Sequence, residues 1–279
     1  GCLTNAAAGN PIDDPTFFVK QHYLDFFNRQ ADQAGLDFWV GGITSCGANQ
    51  ACIEVKRIDT SAAFFLSIEF QQTGYLVERT YKTAFGDLQG TSTLGGTAHQ
   101  ISVPFVKFQP DFLTDLSSID AGVIVGQGNW QDILERNKAA YFANFVMRKT
   151  FTDKYSPNML PTDYVHKLNQ NAGSPLSTTD EATLALNLAT GANGTTRATV
   201  LRQITEHPTF INSEFNRAFV LMQYFGYLRR NPNDAPELSL DYSGYEFWLN
   251  KLNQFGDFRS AEMVKAFISS SEYRKRFGS

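Results

Sequence analysis

The sequence lacks long apolar runs and concentrated positive charge. Nowhere do 18 consecutive apolar residues occur, which excludes a membrane-spanning helix. The 24 Lys and Arg residues are outnumbered by 28 Asp and Glu residues, and the richest basic cluster is Arg274-Lys275-Arg276 at the end of the chain. Nucleic-acid binding needs clustered cations that displace counterions from phosphates. We therefore expect neither a membrane span nor a nucleic-acid partner.

The sequence is also poor in the motifs of catalysis. Its four histidines are isolated from one another, without the His-Glu-x-x-His spacing of a zinc enzyme. No Gly-x-Ser-x-Gly elbow occurs, and Gly126-Gln127-Gly128 lacks the third glycine of a dinucleotide site. We expect no catalytic residue, no metal site and no cofactor. A carboxylate pair of the glycosidase type stays open as a less favoured alternative, because sequence does not give carboxylate separations.

Acidic residues in two loops invite a calcium interpretation. They are Asp32 and Asp37 beside Gly35 in the first loop, and Asp234, Asp241 and Glu246 in the second. The alternating ligands and terminal glutamate of an EF-hand are absent. Turn and helix-capping chemistry explains these residues more simply, so calcium is kept only as part of an alternative function.

Only three cysteines occur. Cys46 and Cys52 enclose five residues that include a glycine, and this spacing predicts a disulfide and an oxidising compartment. Cys2 has no remaining partner cysteine in the sequence, so we expect it either to form a disulfide between subunits or to carry an anchoring lipid. Gly1 precedes Cys2 and weakens the lipid alternative. The chain starts without Met, and a removed signal peptide explains this most simply, so we expect an extracellular or cell-surface protein.

The abundant feature is aromatic: 24 Phe and 11 Tyr are distributed in blocks that recur at the two ends of the chain. The segment 18–29 matches 219–230, Gly35-Leu36-Asp37-Phe38-Trp39 matches Gly244-Tyr245-Glu246-Phe247-Trp248, and 63–70 matches 266–273. Three blocks in the same order indicate internal repetition. The predicted organisation is a tail (1–16) and four helical units, 17–74, 75–155, 161–212 and 213–279, of which the middle two are degenerate.

The periodicity of the blocks is helical. Val19, Tyr23, Phe26 and Phe27 fall at i, i+4, i+7 and i+8, the apolar stripe of an amphipathic helix. Asp14 before Pro15 predicts a capped helix start. Strand signals are sparse: 122–126 is the only short β-branched run, and 86–104 is predicted to be a long surface loop. The expected fold is all-α, one compact or elongated domain of degenerate repeats.

The blocks resemble the family catalogued as domain of unknown function 4214. Its pattern is aromatic-Val-x-x-x-Tyr, then Gly-Arg-x-x-Asp-x-x-Gly-x-x-Tyr-Trp, then Phe-x-x-Ser-x-Glu-Phe, and residues 17–70 and 219–277 carry it. Asn28 and Arg229 replace the glycine before the arginine. The resemblance implies helical units similar to the linker domains of phycobilisomes, in a secreted or surface-attached bacterial protein. It implies an interaction or scaffold role and defines no catalytic residues.

The signature positions are predicted to be structural. Each arginine is expected to pair with the glutamate of its own unit, and each tryptophan to pack in the core rather than form a sugar-stacking platform. The positions are Arg29, Gly35, Trp39, Ser67 and Glu69 in the first unit and Arg230, Gly244, Trp248, Ser270 and Glu272 in the last.

Together these features predict a non-enzymatic extracellular structural or interaction protein. The favoured form is a self-assembling, filament-like subunit that contacts its own copies through the tail of small and polar residues containing Cys2. The alternative is an adhesin for extracellular glycans or surfaces, with or without calcium. A glycan-active enzyme is the least favoured.

Overall fold

The structure is a computed structural model that describes residues 9–259 and 261–278. These residues are mostly helical, which confirms the all-α class. The helices are α1 (Pro15–Phe27), α2 (Gln33–Thr44), α3 (Gln50–Phe65), α4 (Ile68–Gln71), α5 (Gly74–Phe85), α6 (Leu113–Asp120), α7 (Trp130–Phe145), α8 (Lys149–Lys154), α9 (Pro161–Asn171), α10 (Thr178–Thr190), α11 (Arg197–Thr205), α12 (Pro208–Gln223), α13 (Ser243–Phe255), α14 (Met263–Ser269) and α15 (Ser271–Lys275).

Helix α1 begins as its sequence predicts. Asp14 is the N-cap, and its Oδ1 accepts the backbone N–H of Phe17 at 2.7 Å, while Pro15 occupies the first helical turn, where no N–H donor is needed. The helix ends at Asn28 in the left-handed conformation. Helix α12 is extended by a π-helical turn, Tyr224–Leu228, and the chain then turns at Arg229, which is also left-handed.

The segment 86–104 is not the plain surface loop that was predicted. Strands β1 (Leu88–Ser92) and β2 (His99–Val103) form an antiparallel hairpin with Leu88 opposite Val103. The hairpin is stabilised by contacts remote in sequence, because Tyr242 donates its backbone N–H to the carbonyl of Thr91 at 2.9 Å. The β-branched run 122–126, in contrast, forms turns after α6 and no strand.

Helix α5 lies at the centre of the core, and ten of its twelve residues are buried. It packs against α9, α11 and α12, while α1 packs against α2 and α3. The first and last parts of the chain share this core. Phe26 of α1 lies edge-on to Tyr227 at 5.3 Å between ring centroids, and Phe65 of α3 lies edge-on to Phe219 of α12 at 4.9 Å.

The two described ends of the chain meet. The Asn10 amide donates to the carbonyls of Arg274 and Gly278 at 3.0 and 2.8 Å, and Arg274 pairs with Asp13 at 2.6 Å. Residues 9–16 of the predicted tail therefore belong to the folded body. Residues 1–8, with Cys2, lie outside the described residues. The boundaries of the four units stay predictions.

Candidate functional site

Both predicted ion pairs are present. Arg29 donates from Nε and Nη2 to the two carboxylate oxygens of Glu69 at 2.9 and 3.0 Å, and Arg230 does the same to Glu272 at 2.6 and 3.0 Å. Each guanidinium also lies over a tyrosine ring, Tyr23 at 5.1 Å in the first case and Tyr224 at 5.4 Å in the second. These fork-shaped pairs join the end of the first helix of each unit to its last helix.

The signature glycines make room for the same tyrosines. A Cβ added to Gly35 would lie 2.1 Å from the hydroxyl oxygen of Tyr23, and one added to Gly244 would lie 2.6 Å from that of Tyr224. Real Cβ atoms do not approach other atoms so closely. The glycine therefore lets the second helix of each unit cross close over the tyrosine of the first helix.

The signature serines cap the short closing helices. Ser67 Oγ accepts the N–H of Phe70 at 3.1 Å, and Ser270 Oγ accepts that of Tyr273 at the same distance. Each hydroxyl also donates to a carbonyl three residues earlier, that of Phe64 at 2.6 Å in the first case. The local order Ser-x-Glu thus starts a helix and directs its glutamate towards the arginine.

Both signature tryptophans pack against the core, as predicted, but neither is fully enclosed by it. Trp39 packs against Phe64 at 6.1 Å and Trp248 against Phe267 at 5.7 Å, and each meets the preceding phenylalanine edge-on. Both remain partly exposed.

The partly exposed tryptophans line two corresponding grooves. The first groove has a volume of about 340 Å³ and the second about 170 Å³. Each is lined by the tyrosine, arginine, tryptophan, phenylalanine, serine and glutamate described above. The first groove is larger and adds residues from outside its unit, since its lining includes Val125 and Gln127 of the turns after α6.

An acidic residue distinguishes the two grooves. Asp32, three residues before Gly35, caps α2 through the N–H of Gly35 at 2.9 Å and also lines the first groove, 3.6 Å from Arg29. Asp241, three residues before Gly244, accepts hydrogen bonds from Thr93 at 2.7 Å and Ser239 at 2.6 Å. Asp241 therefore holds the hairpin and does not line the second groove.

A carboxyl group that sequence reasoning missed lies next to Glu69. Burial raises the pKa of Asp120 to about 7, and the nearby charge of Glu69 contributes to this increase. Asp120 is only 7% exposed, and its Oδ2 has no hydrogen-bond partner. No motif in the sequence indicates this group, because α6 brings it there from another part of the chain.

His22 is a core residue, not a site. Its Nδ1 lies 2.8 Å from the Phe18 carbonyl and its Nε2 lies 2.7 Å from Ser61 Oγ, which in turn contacts the hydroxyl of Tyr227. A neutral ring that donates from Nδ1 and accepts at Nε2 satisfies this network. Burial lowers the pKa of His22 to about 3, so the ring stays neutral at physiological pH.

The remaining predictions concern metals and cysteines. Cys46 and Cys52 form the predicted disulfide. Within residues 9–259 and 261–278, no group of three or more His, Cys, Asp or Glu side chains is placed to hold a metal ion. The loop carboxylates considered for calcium cap helices or accept hydrogen bonds from other side chains, as Glu246 does from Ser92 and His99 of the hairpin. Among the same described residues, no helix has the length and apolarity to cross a membrane.

Comparison of the chain with protein-family models, with curated proteins and with solved structures gives no match.

Proposed function

We propose that this chain is a non-enzymatic extracellular protein with a structural or binding role. The observation that carries the proposal is that the signature residues have structural roles in both units. In each unit arginine and glutamate neutralise each other, serine caps the closing helix, and glycine lets two helices pack closely. The disulfide suits an oxidising compartment outside the cell.

We further propose that residues 17–74 and 213–279 are two copies of one helical unit, related to domain of unknown function 4214. The support is the set of matching distances in the two grooves, which involve residues at equivalent positions of the three repeated blocks. The test is parallel substitution. Gly35→Ala and Gly244→Ala should both displace their tyrosines, and an effect at one position alone would argue against equivalence.

The favoured mode of action is self-assembly through the N-terminal tail, with Cys2 as a covalent link between copies. Asn10 is bonded into the folded body beside Gly278, so the tail proposed to make this contact is residues 1–8. Residues 1–8 are small and polar apart from one leucine, and they include Cys2. Head-to-tail contact of this kind produces open filaments when the rotation does not close.

Electron microscopy and light scattering of the purified chain test self-assembly. The deletion should remove residues 1–8 only, because Asn10 is bonded into the fold, and Cys2→Ser provides a matched variant that keeps the tail. Filaments or sheets that vanish on deletion support the proposal, and their sensitivity to Cys2→Ser under oxidising conditions measures the covalent link. Monodisperse monomers in all three samples over a wide concentration range would refute it.

One observation favours a second function, that of a glycan-binding adhesin. The first groove is open to solvent and has aromatic walls, with an amide and a carboxylate among its lining residues. A scaffold subunit does not need such a groove. Binding of oligosaccharide by protein that remains monomeric would favour the adhesin over the assembling subunit.

A further inference from the structure

We propose that the first groove binds one neutral pyranose ring of an extracellular polysaccharide, with the sugar stacked on Trp39. The inference rests on the proposed extracellular binding role and names a ligand class for it. The groove volume of about 340 Å³ lies at the lower end of the range typical of small-molecule sites.

The groove offers an aromatic wall with accessible area. Trp39 is partly exposed and lines the groove; the neighbouring Phe38, which is 69% exposed and lies outside the groove lining, meets it edge-on at 4.8 Å. Ile68, on the lining of the groove, is 61% exposed. Apolar side chains that cluster beside a concave site indicate a binding surface more often than isolated ones do. The C–H face of a pyranose ring is a flat apolar surface that suits such a wall.

The polar groups of the groove suit a neutral polyol. Asp32 accepts hydrogen bonds, Gln127 both donates and accepts them, and Arg29 donates, so hydroxyl groups would find partners of both kinds. Because Arg29 and Glu69 neutralise each other, the remaining charge is that of Asp32. An anionic ligand would be repelled by Asp32, and a cation would meet a single carboxylate already 3.6 Å from Arg29.

The second groove provides a contrast within the same molecule. It has the same tryptophan, arginine and glutamate but half the volume, and its lining lacks a counterpart of Asp32, Gln127 and Ile68. We therefore place binding in the first groove alone. Substitutions in the second groove should leave binding unchanged.

Saturation-transfer NMR and tryptophan fluorescence of the full chain test the inference, with cellohexaose, maltohexaose, laminarihexaose and chitohexaose as probes. Trp39→Ala removes the stacking wall and should weaken binding by about tenfold or more. Asp32→Asn keeps a side-chain oxygen for the N-cap and removes the charge, and Gln127→Ala changes an exposed residue. Both should weaken binding with the far-UV circular dichroism unchanged. Trp248→Ala is the matched control.

The expected result is binding of at least one hexasaccharide, lost in the first-groove variants and retained in Trp248→Ala. Lack of binding to all four probes by folded protein, or equal loss in Trp39→Ala and Trp248→Ala, would overturn the inference. A response to a hydrophobic probe such as anilinonaphthalene sulfonate, without one to any sugar, would assign the surface to a protein partner and also overturn it. Filament formation is measured separately, so failure of sugar binding leaves the self-assembly proposal intact.

Discussion

Substitution of Asp120 by asparagine should stabilise the protein at high pH and not at low pH. In the folded protein the pKa of Asp120 is raised from 3.8 to about 7 by burial and by Glu69. Between these two values the folded state holds a proton that the unfolded state releases. The free energy of unfolding therefore falls as the pH rises from about 4 to 7. Asparagine cannot ionise, so Asp120→Asn removes this loss.

The magnitude follows from the pKa. A carboxyl whose pKa rises from 3.8 to about 7 costs the folded state about 4 kcal/mol once it is fully ionised. Because Asp120→Asn avoids this cost, we expect it to raise the free energy of unfolding by a large part of that amount at pH 8 and by none of it at pH 4. Any effect of the asparagine amide on packing is independent of pH, so only the difference between the two pH values measures the titration.

Urea denaturation at pH 4, 6 and 8, followed by circular dichroism, measures this difference. Glu69→Gln is the informative companion variant, because it removes the neighbouring charge and should lower the pKa of Asp120. The titration of His22 is common to Asp120→Asn and the wild type and cancels in the comparison. Equal stability changes for Asp120→Asn at pH 4 and pH 8 would refute a buried, proton-binding Asp120.

Three further outcomes follow from the packing. Gly35→Ala should lower the free energy of unfolding by about 1–3 kcal/mol because the added methyl group overpacks the site. Part of this loss should be recovered in the double variant with Tyr23→Phe, which removes the clashing hydroxyl. Urea denaturation of both variants tests this, and no recovery would contradict the close contact. Reduction of the disulfide, which closes a ring of seven residues, should lower stability by about 2 kcal/mol, measured as a shift of the urea midpoint with and without dithiothreitol. Ser61→Ala should cost about 1–3 kcal/mol, because it leaves the acceptor nitrogen of His22 without a donor; a neutral result in calorimetry would mean that the network does not contribute.

The sequence predicts local features of this fold well. The cap at Asp14 and the disulfide follow from short-range patterns, in which residue type and spacing determine the geometry. The pairing of Arg29 with Glu69, 40 residues apart, follows from the recurrence of both residues at equivalent positions of the last unit. The recurrence of the blocks identifies which residues correspond. It does not reveal how far Trp39 is exposed, because exposure depends on what the rest of the chain places over it.

The features missed are those created by contacts between distant segments. The hairpin 88–103 has a weak strand pattern, and its partners Tyr242 and Asp241 lie far along the chain, with a separation of 148 residues between Thr93 and Asp241. Asp120 is an ordinary acidic residue in a helix until folding buries it beside Glu69. Gln127 likewise reaches the first groove from a distant segment of the chain, the turns after α6. The difference between the two grooves was therefore not predictable from their shared signature.

The meeting of the two described ends of the chain, at Asn10 and Gly278, has a consequence for engineering and for evolution. Since the Asn10 amide donates to the carbonyl of Gly278 at 2.8 Å, a linker of a few residues could join these two positions without distorting the body. The exposed loop between α9 and α10 would then provide new termini, and the circular permutant should fold. The same arrangement would let the whole body be inserted into a surface loop of a host protein, because two neighbouring positions of that loop are enough to attach both ends.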